Sequence, residues 1–222
     1  MKRIFTFIWK FIFYSVIISV LWVCLYLVIN PYLTPYQVFN VFKGNGLTKD
    51  WESIDNMSPN ILKAVIAAED ANFLNHKGID WNAVEDAKKY NARNKKGRMR
   101  GASTITMQTA KNTFLWHSRN FIRKGLELYF TVLIEAIWGK KRILEVYLNV
   151  IELGEGIYGV EAASQKYFNK PALKLTKREA ALIATVLPNP IKWSPSKPTA
   201  YINGRASTIQ ARMNQVSLKE LE

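Results

Sequence analysis

Residues 11–29, FIFYSVIISVLWVCLYLVI, carry no charge, and this run constrains the chain more than any other feature. Its length suffices to cross a bilayer as a helix. Lys2, Arg3 and Lys10 precede it, whereas residues 31–42 are uncharged. The positive-inside bias therefore keeps residues 1–10 cytoplasmic and exports the rest. No small-residue cleavage site follows, so the run reads as an uncleaved signal anchor. Valine precedes Cys24 and the apolar run continues past it, which argues against a lipidated cysteine. The chain thus divides into a cytoplasmic N-terminus (1–10), a transmembrane anchor (11–29), a membrane-proximal connector (30–57) and an exported domain (58–222).

The formal net charge is +14 and the pI about 9.8, so a polyanion is the natural partner. Export removes the nucleic-acid readings and leaves anionic headgroups and phosphorylated substrates. One cysteine and two histidines, His76 and His117, exclude a disulfide framework and argue against a zinc site.

Helical signals dominate the exported part. Ser58–Pro59 is an N-cap followed by proline at the first helical position. Leu62, Ile66 and Glu69 then share a face, and continuing that stripe reaches Phe73 and His76. Ser103 is expected to cap a helix running to about Asn112. A helix from about Arg123 to Trp138 is apolar nearly all round, as a core helix would be. Another is expected over 141–150, and Thr176 with Glu179 forms a capping box for a helix ending at Pro188. The connector, with Pro31, Pro35, Gly44 and Gly46, reads as irregular with a little strand. Residues 88–100, KKYNARNKKGRMR, hold seven basic residues and read as a solvated loop.

Two carboxylates lie on apolar stripes. Desolvation there would raise the pKa of Glu69 toward the range useful for proton transfer; a helix-end acid paired with a base is the plainer reading. Glu127 extends the stripe Phe130, Ile134, Trp138 and has Arg123 four residues before it, which also suits a simple salt pair. Such carboxylate pairs serve at glycosidic bonds. In GASTITMQTAKN (101–112), Thr104, Gln108 and Lys111 share a face near a helix N-terminus, a setting suited to phosphate or sugar hydroxyls. Arg119, Arg123 and Lys124 add positive charge near Glu127. Two motifs are coincidences. Gly154–Gly159 matches GxGxxG without a βαβ unit around it. Ser194–Lys197 matches SxxK in a proline-flanked loop with no partner motifs.

EDANFLNHKG (69–78) resembles the EDxxFxxHxG signature of peptidoglycan glycosyltransferases, the family fifty-one glycosyltransferases. GASTITMQTAKN resembles GxSTxxQQxxKN, departing at Met107. RKGLE (123–127) is similar to RKxxE, KKRILEVYLN (140–149) to KxxILExYLN, and REAALIA (178–184) to the last motif. The resemblance covers 45–205, and the lack of a transpeptidase region points to the monofunctional type.

The resemblance implies a mainly α, lysozyme-like head with a small membrane-proximal jaw. It implies polymerisation of lipid II into β-1,4 glycan strands with inversion and release of undecaprenyl diphosphate. Glu69 would be the general base and Glu127 the second catalytic carboxylate, which either orients the basic residues or holds a divalent cation, Mg or Mn, at the diphosphate. Lys111, Arg119, Arg123 and Lys124 would contact the diphosphate. Ser103 and Gln108 would line the same cleft, with Asp70 and His76 supporting it and the basic 88–100 loop as a gate over the acceptor side. The growing lipid-linked strand, the membrane and other cell-wall synthesis and division proteins are the expected partners. The location implied is the bacterial cytoplasmic membrane, with the catalytic domain outside. A lysozyme-like muramidase and a non-catalytic membrane-anchored scaffold are the competing readings; a hydrolase has little need of a diphosphate-sized cationic cluster.

Overall fold

The computed structural model describes residues 2–94, 99–116, 118 and 120–221. The uncharged run lies in one long helix, α1 (Lys2–Val28), whose apolar side chains are almost all exposed. Its length and composition fit a single-pass membrane anchor. The connector is more regular than its prolines and glycines suggest. It forms a helix, α2 (Pro35–Phe42), started by a capping box between Thr34 and Gln37 with Pro35 in the first turn. A two-residue strand, β1 (Thr48–Lys49), follows.

The domain continues through α3 (Pro59–Glu69), α4 (Trp81–Arg93), α5 (Ile105–Phe114), α6 (Phe121–Ile137) and α7 (Gly139–Val150). A short hairpin comes next, β2 (Glu152–Gly154) and β3 (Ile157–Tyr158). The chain then runs through α8 (Val160–Phe168), α9 (Lys177–Val186) and α10 (Ala200–Arg212). The molecule is therefore mainly helical, with α3 packed against α9 and α10, and α5 against α6 and α7. Ile61, Ile66, Ile105, Ile143, Leu144 and Tyr147 lie fully buried where these layers meet. Removing such side chains from water is the main term holding the layers together, about 1.5–3 kcal/mol each.

The sheet orders as β1-β3-β2, with β1 parallel and β2 antiparallel to β3. Its hairpin carries the Gly154–Gly159 motif, which therefore lies in an antiparallel turn and not in a βαβ unit. Gly156 has φ +67°, and a Cβ there would stand 2.3 Å from the Gly46 carbonyl oxygen. The glycine thus lets the hairpin press onto the connector.

Several boundaries differ from the sequence reading. Thr104, not Ser103, caps α5: its hydroxyl accepts the Met107 N–H while Ser103 stays exposed. Helix α6 begins at Phe121 because Asn120 caps it. This helix is not apolar-buried all round; Phe121, Ile122 and Val132 are 96, 74 and 60% exposed. Its side around Leu126, Tyr129 and Phe130 lies against the anchor. The basic segment 88–100 is helical through Arg93, and the rest of the gate reading falls partly on residues outside those described. The Thr176–Glu179 capping box forms as expected.

Candidate active site

Helix α3 ends at Glu69. Asp70 leaves the helix with φ −161° and ψ 76°, so the stripe expected to continue to Phe73 and His76 becomes a turn. That turn is braced from below. The Asp70 carboxylate is buried, lies 3.0 Å from the His76 Nε2 and accepts the Ile105 N–H at 2.9 Å. Phe73 is fully buried under the Lys140 ammonium, 4.6 Å from its ring centre. Lys140 also donates to the His76 carbonyl and to Glu135, each at 2.6 Å. Gly78 has φ +82°, and a Cβ would meet Glu135 Cγ at 2.8 Å and Thr131 Cγ2 at 2.9 Å. Asp70 and His76 therefore brace the turn, and Asp70 also borders the cavity at Glu69.

Glu69, freed at the helix end, accepts the Gln108 amide N–H at 2.7 Å. The Gln108 carbonyl in turn accepts the buried Tyr147 hydroxyl at 3.2 Å. Tyr147 thus fixes which way the amide points. Burial pushes the Glu69 carboxyl above the usual carboxylate range; the Gln108 hydrogen bond and the charges of Arg205 and Lys111 oppose that rise.

Glu127 is buried on α6 and has the opposite environment. The Arg123 guanidinium and the Lys124 ammonium each bind one of its carboxylate oxygens. Arg123 is itself held by its Nε–H on the Ser118 carbonyl at 2.6 Å. Lys111 senses Glu127, Arg123, Lys124 and Glu69 together; burial first, then the two neighbouring cations, lower its pKa. It is the electrostatic link between the two carboxylates.

Two cavities open beside the Glu69–Gln108 pair. One of about 290 Å³ is lined by Glu69, Asp80, Asp86, Arg100, Ser103 and Arg212. The other, about 320 Å³, is lined by Gln108, Lys111, Tyr147, Tyr36, Glu152 and Pro188. A substrate in either would meet a carboxylate, and one in the second would also meet Lys111.

The structure therefore brings together Glu69, Gln108, Lys111, Arg123, Lys124 and Glu127, puts Ser103 on the rim beside Glu69, and uses Asp70 and His76 as supports. Arg119 lies outside the described residues. Tyr147, Lys140 and Arg205 were missed by the sequence reading. Tyr147 sits inside the KxxILExYLN match, so the signal for it was present. A divalent ion does not fit Glu127 as it stands, because both oxygens are taken by cations. Among the described residues no group of three or more His, Cys, Asp or Glu side chains gathers to hold one.

The family model described as transglycosylase matches residues 37–214. A biosynthetic peptidoglycan transglycosylase of Rhodospirillum centenum is 53% identical over 186 residues, 83% of this chain and 80% of that protein. One from Shewanella oneidensis is 45% identical over 227 residues, covering 99% and 97% of the two chains. One from Escherichia coli is 54% identical over 167 residues, covering 75% and 69%.

Proposed function

The chain belongs to the transglycosylase family, and from that premise we propose that it polymerises lipid II into β-1,4 glycan strands at the outer face of the bacterial cytoplasmic membrane. The incoming 4-hydroxyl oxygen bonds to the anomeric carbon of the lipid-linked donor while the bond from that carbon to the diphosphate oxygen breaks. The hydroxyl proton passes to Glu69. Undecaprenyl diphosphate departs with the bonding electrons, and one displacement inverts the centre.

The observation that carries this reading is the Glu69–Gln108–Tyr147 chain beside two cavities. A desolvated carboxylate binds a proton more readily than one in water, which suits a general base. One amide N–H orients it without a salt bridge that would quench its basicity. Lys111, Arg123 and Lys124 supply the positive charge that a departing diphosphate needs. Glu127 arranges two of those cations, and no step passes through a metal. The anchor and the exposed apolar face of α6 suit substrates whose polyprenyl tails stay in the bilayer, with positive charge at the N-terminus keeping that end inside.

The decisive experiment is lipid II polymerisation by the wild-type chain and by Glu69→Gln, each with and without chelator. Glycan strands from the wild type, their loss in the variant and indifference to chelator support the proposal. Full activity of the variant would overturn the base assignment, and cleavage of preformed strands instead of synthesis would favour a hydrolase.

A further inference from the structure

The junction between the anchor and the domain holds charged groups that the proposed reaction does not use. Arg142 on α7 reaches the outer end of α1. Its Nη2 donates to the Tyr26 carbonyl at 2.8 Å and to the Ile29 carbonyl at 3.2 Å. Its Nε donates to the same Tyr26 carbonyl at 3.2 Å, and its Nη1 to Asn30 Oδ1 at 2.9 Å. The Glu145 carboxylate balances the charge at 2.6 Å, and the Arg142 side chain is only 13% exposed. Lys49 grips the following residues, donating to the Pro31 and Tyr32 carbonyls at 2.8 and 2.9 Å. Trp138 adds an indole N–H to the Val23 carbonyl at 2.8 Å.

The last four carbonyls of a helix have no partner within it, and a cation there also meets the negative end of the helix dipole. Next to an apolar bilayer such carbonyls are costly to leave unpaired. The planar fork of arginine serves several acceptors at once, which one ammonium does with less geometric definition. The anchor is thereby fastened to the domain as a rigid spar rather than a free tether.

The same helix α7 carries the other end of the link. Lys140 holds the turn beneath Glu69 through the His76 carbonyl. Tyr147 orients Gln108 and through it Glu69. Arg142 and Tyr147 are roughly 7–8 Å apart along one helix axis. We infer that Arg142 is a positioning residue that locks the anchor to α7, so that the bilayer sets the height and tilt of the Glu69 cleft over its membrane-bound substrate. This inference rests on the proposed reaction having a lipid-linked substrate.

The test uses the full chain as wild type, Arg142→Gln and Arg142→Lys. Each is assayed with long-tailed lipid II in vesicles and with a short-tailed analogue in detergent micelles. Misplacing reacting groups by an ångström can cost far more than tenfold, so Arg142→Gln should fall about tenfold or more in vesicles. In micelles, where no bilayer plane has to be matched and the positioning cost vanishes, it should stay within about twofold of the wild type. Arg142→Lys should recover part of the vesicle rate. Equal losses in both settings would overturn the inference, since they would mean that Arg142 serves the fold or the chemistry. Equal rates for Arg142→Gln and wild type in vesicles would overturn it as well. A wild type inert toward both substrates would instead overturn the reaction itself, a result distinct from any behaviour of the variants.

Discussion

Glu69 and Glu127 are the same residue type on similar apolar stripes, yet their surroundings divide their labour. Glu69 ends its helix, loses water, and receives one neutral amide donor at 2.7 Å. Glu127 lies within its helix and binds two cationic side chains. Burial raises the proton affinity of the first. Paired charges spend the second on holding Arg123 and Lys124 in place. One carboxylate is desolvated and the other is bound by two cations, and under the proposed reaction that difference separates a proton acceptor from an organiser of positive charge.

The harshest way to break this comparison is to remove each carboxylate in turn. Glu69→Gln keeps an acceptor for Gln108 but cannot take a proton, so turnover should fall by about 100- to 10,000-fold. Glu127→Gln leaves Arg123 and Lys124 with a neutral partner. Charged hydrogen bonds contribute about 1.5–3 kcal/mol, so the expected loss is about ten- to a hundredfold. Steady-state polymerisation rates check both, and losses in the reverse order would invert the assigned roles.

A milder change sharpens the same contrast. Gln108→Leu removes the N–H that favours the ionised form of Glu69, so the Glu69 pKa should climb further. The acid limb of the pH–rate profile should move to higher pH, with activity at neutral pH reduced and recovered on the alkaline side. Glu127 takes no part in that chain, so Glu127→Gln should move the acid limb far less than Gln108→Leu does. Coincident limbs for wild type and Gln108→Leu would remove Gln108 from the argument.

The two carboxylates were also unequally legible in the sequence. Glu127 with Arg123 at i, i+4 could be read directly, because helical spacing fixes which side chains meet. The Glu69 site could be placed but not built. Its stripe suggested that Phe73 and His76 continue a helix, whereas Asp70 ends it by reaching across to the Ile105 N–H, a contact thirty-five residues away in the chain. Spacing cannot report such pairings. The same limit hid what Tyr147 and Lys140, both inside a matched motif, touch from α7: Gln108 and the His76 carbonyl. Fold class followed from periodicity and caps, and the Thr176–Glu179 box was read correctly from four residues. The α6 surface was misread because an exposed apolar face and one toward a core look alike in sequence.

The smallest expected effect concerns stability, and it follows from the sign of the Glu69 shift. The folded protein holds this proton at higher pH than the unfolded chain, whose glutamates titrate near about 4.3. Above that value the unfolded state binds fewer protons than the folded one, so stability declines as pH rises through the raised Glu69 pKa. The contribution is fully present below the unfolded pKa and gone above the folded one. Glu69→Gln has no such titration and retains the Gln108 contact through its amide oxygen. The variant should therefore gain on the wild type in thermal unfolding as pH rises from the unfolded value, about 4.3, through the raised Glu69 pKa, ending equal or higher in midpoint above it. Glu127→Gln should lose stability over the same range, since it strands two cations on a buried amide. A Glu69→Gln midpoint that falls behind as pH rises would show that Glu69 is stabilised as an anion, and would take away the physical basis for calling it the base. A rise would show that the fold gives up some stability to keep a desolvated carboxylate in its cleft, which is the trade expected where a site is built for proton transfer.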